Sequence, residues 1–110
     1  MSYNDGWRAV PSNSYAYGWE GTPMAFDIAA LQALYGANMS YQTGDNSYAL
    51  PGVNASGTFW SCIWDAGGED TISAEGLARN VFINLNDAPL TGANAGGYVS
   101  WMAGIRGGTA

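Results

Sequence analysis

The sequence of 110 residues contains no histidine, no lysine and a single cysteine, Cys62. Without histidine, this chain alone cannot assemble a histidine-based zinc site, a Ser-His-Asp triad or a Cys-His nucleophilic pair. A lone cysteine forms no internal disulfide, and four-cysteine metal sites are excluded as well. The commonest zinc-binding and hydrolytic centres therefore cannot be built from these residues by themselves.

Positive charge and long apolar runs are also scarce. Three arginines face nine acidic residues, so the formal net charge is −6. Nucleic acids and anionic membrane surfaces both attract basic patches, and this balance argues against either partner. An acidic balance suits a hard cation such as calcium, which takes oxygen ligands. No run of about 18 apolar residues predicts a membrane span, and no basic segment followed by an apolar stretch predicts a signal peptide.

What the chain does contain is glycine and aromatic residues. There are 16 glycines, and 14% of the residues are aromatic. Glycine at this level favours turns and tight loops over long helices, and the aromatic content argues against disorder. The length allows one small domain. Residues 1–21 lack periodicity, and we expect an irregular segment there that docks on another surface.

One helix is predicted over residues 23–35. Thr22 is a suitable N-cap, Pro23 suits the first helical position, and Gly36 suits a left-handed residue after the last turn. Apolar residues recur at the spacing of one helical stripe, and we expect four of them to be buried: Met24, Ile28, Leu31 and Leu34. Because the segment has few polar residues, we expect burial on more than one side.

After residue 37 the chain is predicted to form short strands separated by turns. Apolar and aromatic runs of strand length occur at 58–64, 80–85 and 97–103. The turns between them are rich in glycine, asparagine and aspartate. One helix followed by glycine-punctuated strands predicts the α+β class, with a β portion that is small or incomplete.

Two acidic turns, residues 42–46 and 65–70, are the clearest candidates for a binding site. Calcium takes six to eight oxygens, and glycine-rich turns supply backbone carbonyls beside carboxylates. The spacing Gly68-x-Asp70-x-Ile72 also matches the second half of the calcium-binding nonapeptide G-G-x-G-x-D-x-U-x. The alternative is a pair of ordinary turns in which aspartate side chains cap backbone amides.

Folding would bring the acidic side chains of the two turns together. We expect four carboxylates to converge and repel one another: Asp45, Asp65, Glu69 and Asp70. A divalent cation between the turns would remove that repulsion and cross-link two segments that are distant in sequence.

Five blocks of the sequence resemble the serralysin-type metzincins, which are secreted bacterial zinc endopeptidases. Residues 1–3, MSY, resemble the Met-turn of that family, and residues 22–39, TPMAFDIAALQALYGANM, resemble the helix that follows it. Residues 40–48, SYQTGDNSY, are similar to a calcium turn of the R-T-G-D-T-x-Y type. Residues 63–71, IWDAGGEDT, and 81–86, VFINLN, are similar to W-D-A-G-G-N-D-T and to the I-N-L-N strand. The blocks occur in the family's order.

The resemblance implies a position within a larger protease. Residues 1–36 would complete a catalytic domain, and residues 37–110 would begin the calcium-binding β-rich domain, of β-roll or β-sandwich type. The family's zinc helix, H-E-x-x-H-x-x-G-x-x-H, has no counterpart in this sequence. The chain would therefore bind calcium, be inactive alone, and act with a zinc helix upstream and β-roll repeats downstream on protein substrates. The family's export by a C-terminal signal implies an extracellular location.

The resemblance also implies roles for individual residues. Met1 would lie beneath the zinc ion and Tyr3 would be its conditional ligand, although neither binds zinc without the missing histidines. Calcium would be held by residues of both turns, several of them through backbone carbonyls: Gln42, Gly44, Asp45, Asn46, Asp65, Gly67, Gly68 and Asp70. Gln42 replaces the family's arginine and Asn46 its threonine, which a carbonyl ligand tolerates. Asp65 and Asp70 are the expected carboxylate ligands.

A second hypothesis is a stand-alone β-rich extracellular module that binds carbohydrate or protein through exposed tryptophans. The encoding sequence upstream of Met1 separates the two hypotheses. An in-frame zinc motif shortly before Met1 would favour the protease.

Overall fold

The computed structural model of the chain describes residues 20–55, 60–105 and 107–109. Within these residues one helix, α1 (Ala25–Tyr35), precedes six short strands. The strands are β1 (Ser47–Ala49), β2 (Trp60–Ser61), β3 (Thr71–Ser73), β4 (Val81–Phe82), β5 (Trp101–Met102) and β6 (Gly108–Thr109). This content agrees with the predicted α+β class.

The strands of the described residues pair two at a time. β1 pairs with β3 and β2 with β6, both parallel, while β4 and β5 are antiparallel. The register of β1 and β3 places Ser47 opposite Thr71. Because the two strands run in the same direction, the turns that precede them meet at one edge. The finer prediction of a β-roll or β-sandwich does not follow from three separate two-stranded sheets.

The first turn of α1 differs from the prediction. Met24, not Thr22, is the N-cap, and its backbone N–H donates to the Asp27 carboxylate at 3.2 Å. The Thr22 hydroxyl instead accepts the backbone N–H of Cys62 at 2.8 Å, so Thr22 joins the start of the helix to the segment after β2. The predicted cap was wrong because a tertiary partner competes for the same hydroxyl oxygen.

The end of α1 follows the sequence signal more closely. Gly36 comes directly after the last helical residue, has a positive φ of 82°, and donates its N–H to the Gln32 carbonyl at 2.8 Å. Its ψ of 159° lies outside the left-handed helical region that was expected. Only the positive φ of that expectation is confirmed, and it accounts for glycine at this position.

The core lies around the indole of Trp60, whose exposed fraction is only 1%. Met24 and Val99 are buried against it, and Cys62 packs beside them. Further buried apolar residues are Ala25, Leu50, Met102 and Ile105. The cluster around Trp60 thus joins the N-terminal end of α1 to β2 and to the segment before β5.

The predicted burial of the helical stripe is only partly correct. Met24 is buried and Ile28 is half-buried, but Leu31 is 48% exposed and Leu34 is 74% exposed. Apolar residues occupy every side of α1, and the helix meets the core through its first turn. Burying that turn leaves the apolar side chains farther along the helix at the surface.

The predicted strand segments contain strands that are shorter than expected. β2 lies in segment 58–64, whose residues 58 and 59 are outside the described residues, β4 lies in 80–85 and β5 in 97–103. β1, β3 and β6 were not predicted, because strands of only two or three residues are too short to show a recognisable periodicity. No helix in the part of the chain that the structure describes could cross a membrane.

Replacing Thr22 by alanine tests the link between α1 and β2. Thr22→Ala leaves the part-buried N–H of Cys62 without its hydroxyl acceptor, and we expect the free energy of unfolding to fall by about 1–3 kcal/mol. Urea denaturation measures this loss, and Thr22→Ser, which keeps the hydroxyl, serves as the control. Equal stability of Thr22→Ala and the unsubstituted chain would contradict the role given to this hydrogen bond.

Candidate functional site

The two acidic turns meet at the edge where β1 and β3 begin. The backbone N–H of Asn46 donates to Asp70 Oδ1 at 2.9 Å, and the N–H of Glu69 donates to Asp45 Oδ1 at 2.9 Å. The N–H of Thr71 also donates to the Asn46 carbonyl at 2.9 Å. Each turn thus places backbone amides on the carboxylates of the other, and the structure brings the predicted residues of both turns together.

Asp65 carries most of the side-chain contacts. Its Oδ1 accepts the N–H of Gly67 at 3.0 Å, and its Oδ2 accepts the hydroxyl of Tyr48 at 2.5 Å and the side-chain amide of Asn46 at 3.4 Å. The Tyr48 hydroxyl, followed by the Gly67 amide, holds the pKa of Asp65 below its usual value, while partial burial opposes them. Asp65 is therefore an oriented carboxylate that is ionised at neutral pH.

Tyr48 shows the negative electrostatic environment of the same place. Burial raises the pKa of Tyr48 to about 12, and so do the hydrogen bond and charge of Asp65 and the charge of Asp70. The phenol is therefore protonated at neutral pH and remains a donor. The Asp65 and Asp70 carboxylates both act on this one hydroxyl.

The turns touch backbone to backbone at a glycine. Gly68 has a φ of 122°, which side-chain-bearing residues rarely adopt, and a Cβ on it would overlap the carbonyl oxygen of Gly44. That same carbonyl accepts the side-chain amide of Asn46. A Cβ on the neighbouring Gly67 would meet open space. The close approach therefore requires glycine at position 68 and not at position 67.

A second backbone feature lies at the start of the first turn. Gln42 has a φ of 51°, in the left-handed region, where a residue with a side chain is strained by roughly 1–2 kcal/mol. Next to it, the Tyr41 carbonyl accepts the N–H of Ala66 at 3.2 Å, which adds another bond between the turns. Strain of this kind often accompanies a functional turn.

The donor set is mixed and is not a carboxylate cluster. No group of three or more His, Cys, Asp or Glu side chains is placed to hold a metal ion within residues 20–55, 60–105 and 107–109. The four carboxylates expected to converge do not form such a group; Asp45, for example, accepts the amide of Glu69. What remains is Asp65 and Asp70 beside the carbonyls of two glycine-bearing turns. Carboxylate and carbonyl oxygens together are the ligands that calcium takes, so the donor chemistry fits that ion.

Tyr48 is the site residue that the sequence reasoning missed. It lies two positions after Asn46, and alternate residues of an extended chain share a face. Both side chains reach the same Asp65 oxygen. The alternation was a usable signal, but only the pairing of β1 and β3 identifies Asp65 as the partner. The predicted zinc-site neighbours Met1 and Tyr3 lie outside the described residues.

The tryptophans within the described residues do not form an exposed platform. Trp60 is buried, and Trp64 and Trp101 are half-buried. Trp64 donates its indole N–H to the Asn38 carbonyl at 3.2 Å. This arrangement gives little support to carbohydrate binding through exposed indole rings.

Comparison with known proteins gives consistent matches. Residues 26–105 match the sequence model of a family described as Peptidase M10 serralysin C terminal. Serralysin C of Dickeya chrysanthemi is 43% identical over 61% of the chain and 16% of its own length. Metalloprotease AprA of Pseudomonas entomophila (strain L48) is 33% identical over 97% of the chain and 24% of its own length.

The matches confirm the resemblance drawn from the motifs. The chain spans about a sixth to a quarter of the length of these relatives, 16% and 24% respectively. No solved structure matches it at a significant level.

Two neighbouring glycines provide a matched test of the contact between the turns. Gly68→Ala forces a Cβ against the Gly44 carbonyl at a φ that alanine rarely adopts, so we expect a lower melting temperature in calcium-free buffer. Gly67→Ala, whose added methyl meets open space, should leave the melting temperature nearly unchanged. Similar melting temperatures for the two variants would show that the turns do not make this contact.

Proposed function

Because the chain belongs to the serralysin C-terminal family of M10 peptidases, we propose that it is a calcium-binding segment of a secreted zinc metallopeptidase. The proposal of calcium binding rests on one observation: two glycine-bearing acidic turns meet where β1 and β3 begin. The chain has no histidine, so the protease activity of the relatives requires residues beyond those present here.

The proposed ion lies between the turns. Asp65 and Asp70 would supply carboxylate oxygens, and Asp45 keeps one oxygen beyond the one that accepts the Glu69 amide. Backbone carbonyls would complete the set from Gln42, Gly44, Asn46, Gly67 and Gly68. Calcium supplies a compact positive charge that offsets the repulsion between carboxylates of the two turns.

Because β1 and β3 pair over a short length, the proposed ion would have a structural role. β1 and β3 share three residue pairs. The turns that they bring together are distant in sequence, since Asp70 comes 24 positions after Asn46. A bound ion would cross-link the turns where the ladder is too short to hold them firmly. Magnesium would substitute poorly, since its octahedral shell at about 2.0–2.1 Å does not suit a carbonyl-rich cage.

Exposed apolar side chains on α1 and just after it support a second part of the proposal, that the remainder of the protease chain is a partner. Leu34 and Tyr35 are 74% and 82% exposed, and Met39, just after the helix, is 64% exposed. Neighbouring apolar side chains at a surface are typical of an interaction site. We propose that the remainder of the protease chain covers them. Zinc, with Met1 and Tyr3 near it, would belong to that larger assembly, whose location would be extracellular.

The second candidate, a stand-alone carbohydrate- or protein-binding module, is supported less well. The half-buried and buried tryptophans of the described residues offer no exposed ring for stacking on a sugar. The encoding sequence before Met1 remains the simplest discriminator. An in-frame H-E-x-x-H-x-x-G-x-x-H motif there would support the protease.

Calcium should raise the melting temperature of the folded chain. Binding to the folded state stabilises it by RT ln(1 + [L]/Kd), which is about 2.7 kcal/mol at a hundredfold excess over Kd. Asp70→Asn removes a proposed ligand and should abolish most of this shift. Glu75→Gln, which removes one negative charge after the far end of β3, should retain it.

Thermal melts in EGTA, in calcium and in magnesium measure these effects by circular dichroism. If calcium does not change the melting temperature of the folded, unsubstituted chain, the proposal of calcium binding is wrong. A shift that survives Asp70→Asn would place the ion elsewhere.

The chain with added zinc should not hydrolyse a peptide substrate. It contains no histidine to hold the metal, so zinc-activated water cannot be positioned as in a three-ligand catalytic site. A fluorogenic peptide assay with zinc and calcium measures the rate. Hydrolysis above background that a chelator abolishes would show that the chain alone is active and would contradict this prediction.

A further inference from the structure

Tyr48 contacts the candidate calcium site without being one of its predicted ligands. Its hydroxyl donates to Asp65 Oδ2 at 2.5 Å, across 17 residues of sequence. We propose that Tyr48 is a positioning residue that holds the Asp65 carboxylate in place for calcium. This inference rests on the calcium binding proposed above and names a residue through which the same site is organised.

The position of Tyr48 is set by the strand pairing. It is the central residue of β1, directly opposite Ile72 of β3, and its side chain is half-buried. Asn46, two residues earlier, donates to the same Asp65 oxygen at 3.4 Å. β1 and the residue just before it therefore place two donors on a carboxylate of the other turn.

The distribution of donors explains what the hydroxyl does for an ion. A carboxylate offers about four lone-pair sites on two oxygens. Asp65 Oδ2 accepts hydrogen bonds from both Tyr48 and Asn46, whereas Oδ1 accepts one, from the Gly67 amide at 3.0 Å. Oδ1 is thus the oxygen with more capacity left for a cation. Without the Tyr48 hydroxyl, Asp65 would rotate more freely and would have to be ordered on binding.

The role is distinct from that of a packing residue. Tyr48→Phe keeps the aromatic ring and removes only the oxygen that touches Asp65. Groups that orient a ligating carboxylate or histidine typically change metal affinity by about 10–100-fold when they are removed. We therefore expect calcium affinity to fall by that factor in Tyr48→Phe, with the far-ultraviolet circular dichroism of the calcium-saturated protein unchanged.

Isothermal titration of the whole chain with calcium chloride measures the dissociation constants. Tyr98→Phe is the matched control, because it also removes a hydrogen-bonded hydroxyl, the one that accepts from Asn94 at 3.2 Å, in a turn apart from the site. The control should bind calcium as the unsubstituted chain does. Terbium luminescence, excited through the aromatic residues, gives an independent affinity in the same series.

A double-mutant cycle tests whether Tyr48 acts through Asp65. Asp65→Asn alone should weaken binding, and adding Tyr48→Phe to it should produce little further loss, because the two residues form one unit. Additive losses would mean that Tyr48 does not act through Asp65 and would overturn the inference.

The remaining outcomes separate this inference from the proposed function. If Asp70→Asn loses calcium binding but Tyr48→Phe binds normally, the function stands and the positioning role is overturned. If the unsubstituted, folded chain binds no calcium, the proposed function fails and the role of Tyr48 fails with it. A Tyr48→Phe chain that does not fold at saturating calcium would show a structural role and overturn the positioning role.

Discussion

The parallel register between β1 and β3 is the constraint on which the site depends. It places Ser47 opposite Thr71, and so the residues that precede each strand, Asn46 and Asp70, must be neighbours. Parallel strands bring their starting ends to the same edge, whereas an antiparallel pair would separate the two turns. The amide-to-carboxylate bonds, the glycine contact and the Tyr48 hydrogen bond all follow from this arrangement.

In this small chain, apolar packing stabilises the fold, whereas the charges of the acidic turns destabilise it. The core around Trp60 is limited, and large apolar side chains such as Leu34 and Tyr35 stay at the surface. The acidic turns add repulsion to a fold whose sheets have only two strands each in the described residues. A cation between the turns and a protein surface over α1 would each supply one missing source of stability. Both suggestions agree with membership of a family whose relatives are longer proteins, of which the matched residues cover 16% and 24%.

Local sequence signals worked where local forces decide the conformation. The end of α1 at Gly36 was predicted because only glycine adopts its positive φ at little cost. The two turns were recognised from glycine and aspartate, and specific motifs identified the family. The signals failed where a distant partner competes. The Thr22 hydroxyl accepts the amide of Cys62 and does not cap the helix. Leu31 stays exposed because α1 meets the core only through its first turn.

The sequence by itself determined the fold class, the place of the helix, the absence of a histidine-based centre and the two acidic turns, because residue type and short spacing carry that information. Only the tertiary structure decided that the turns adjoin, that Gly68 lies against Gly44, and that Tyr48 bonds to Asp65. These contacts depend on the register of β1 and β3. Strands of three largely polar or small residues have no periodicity from which that register could be predicted.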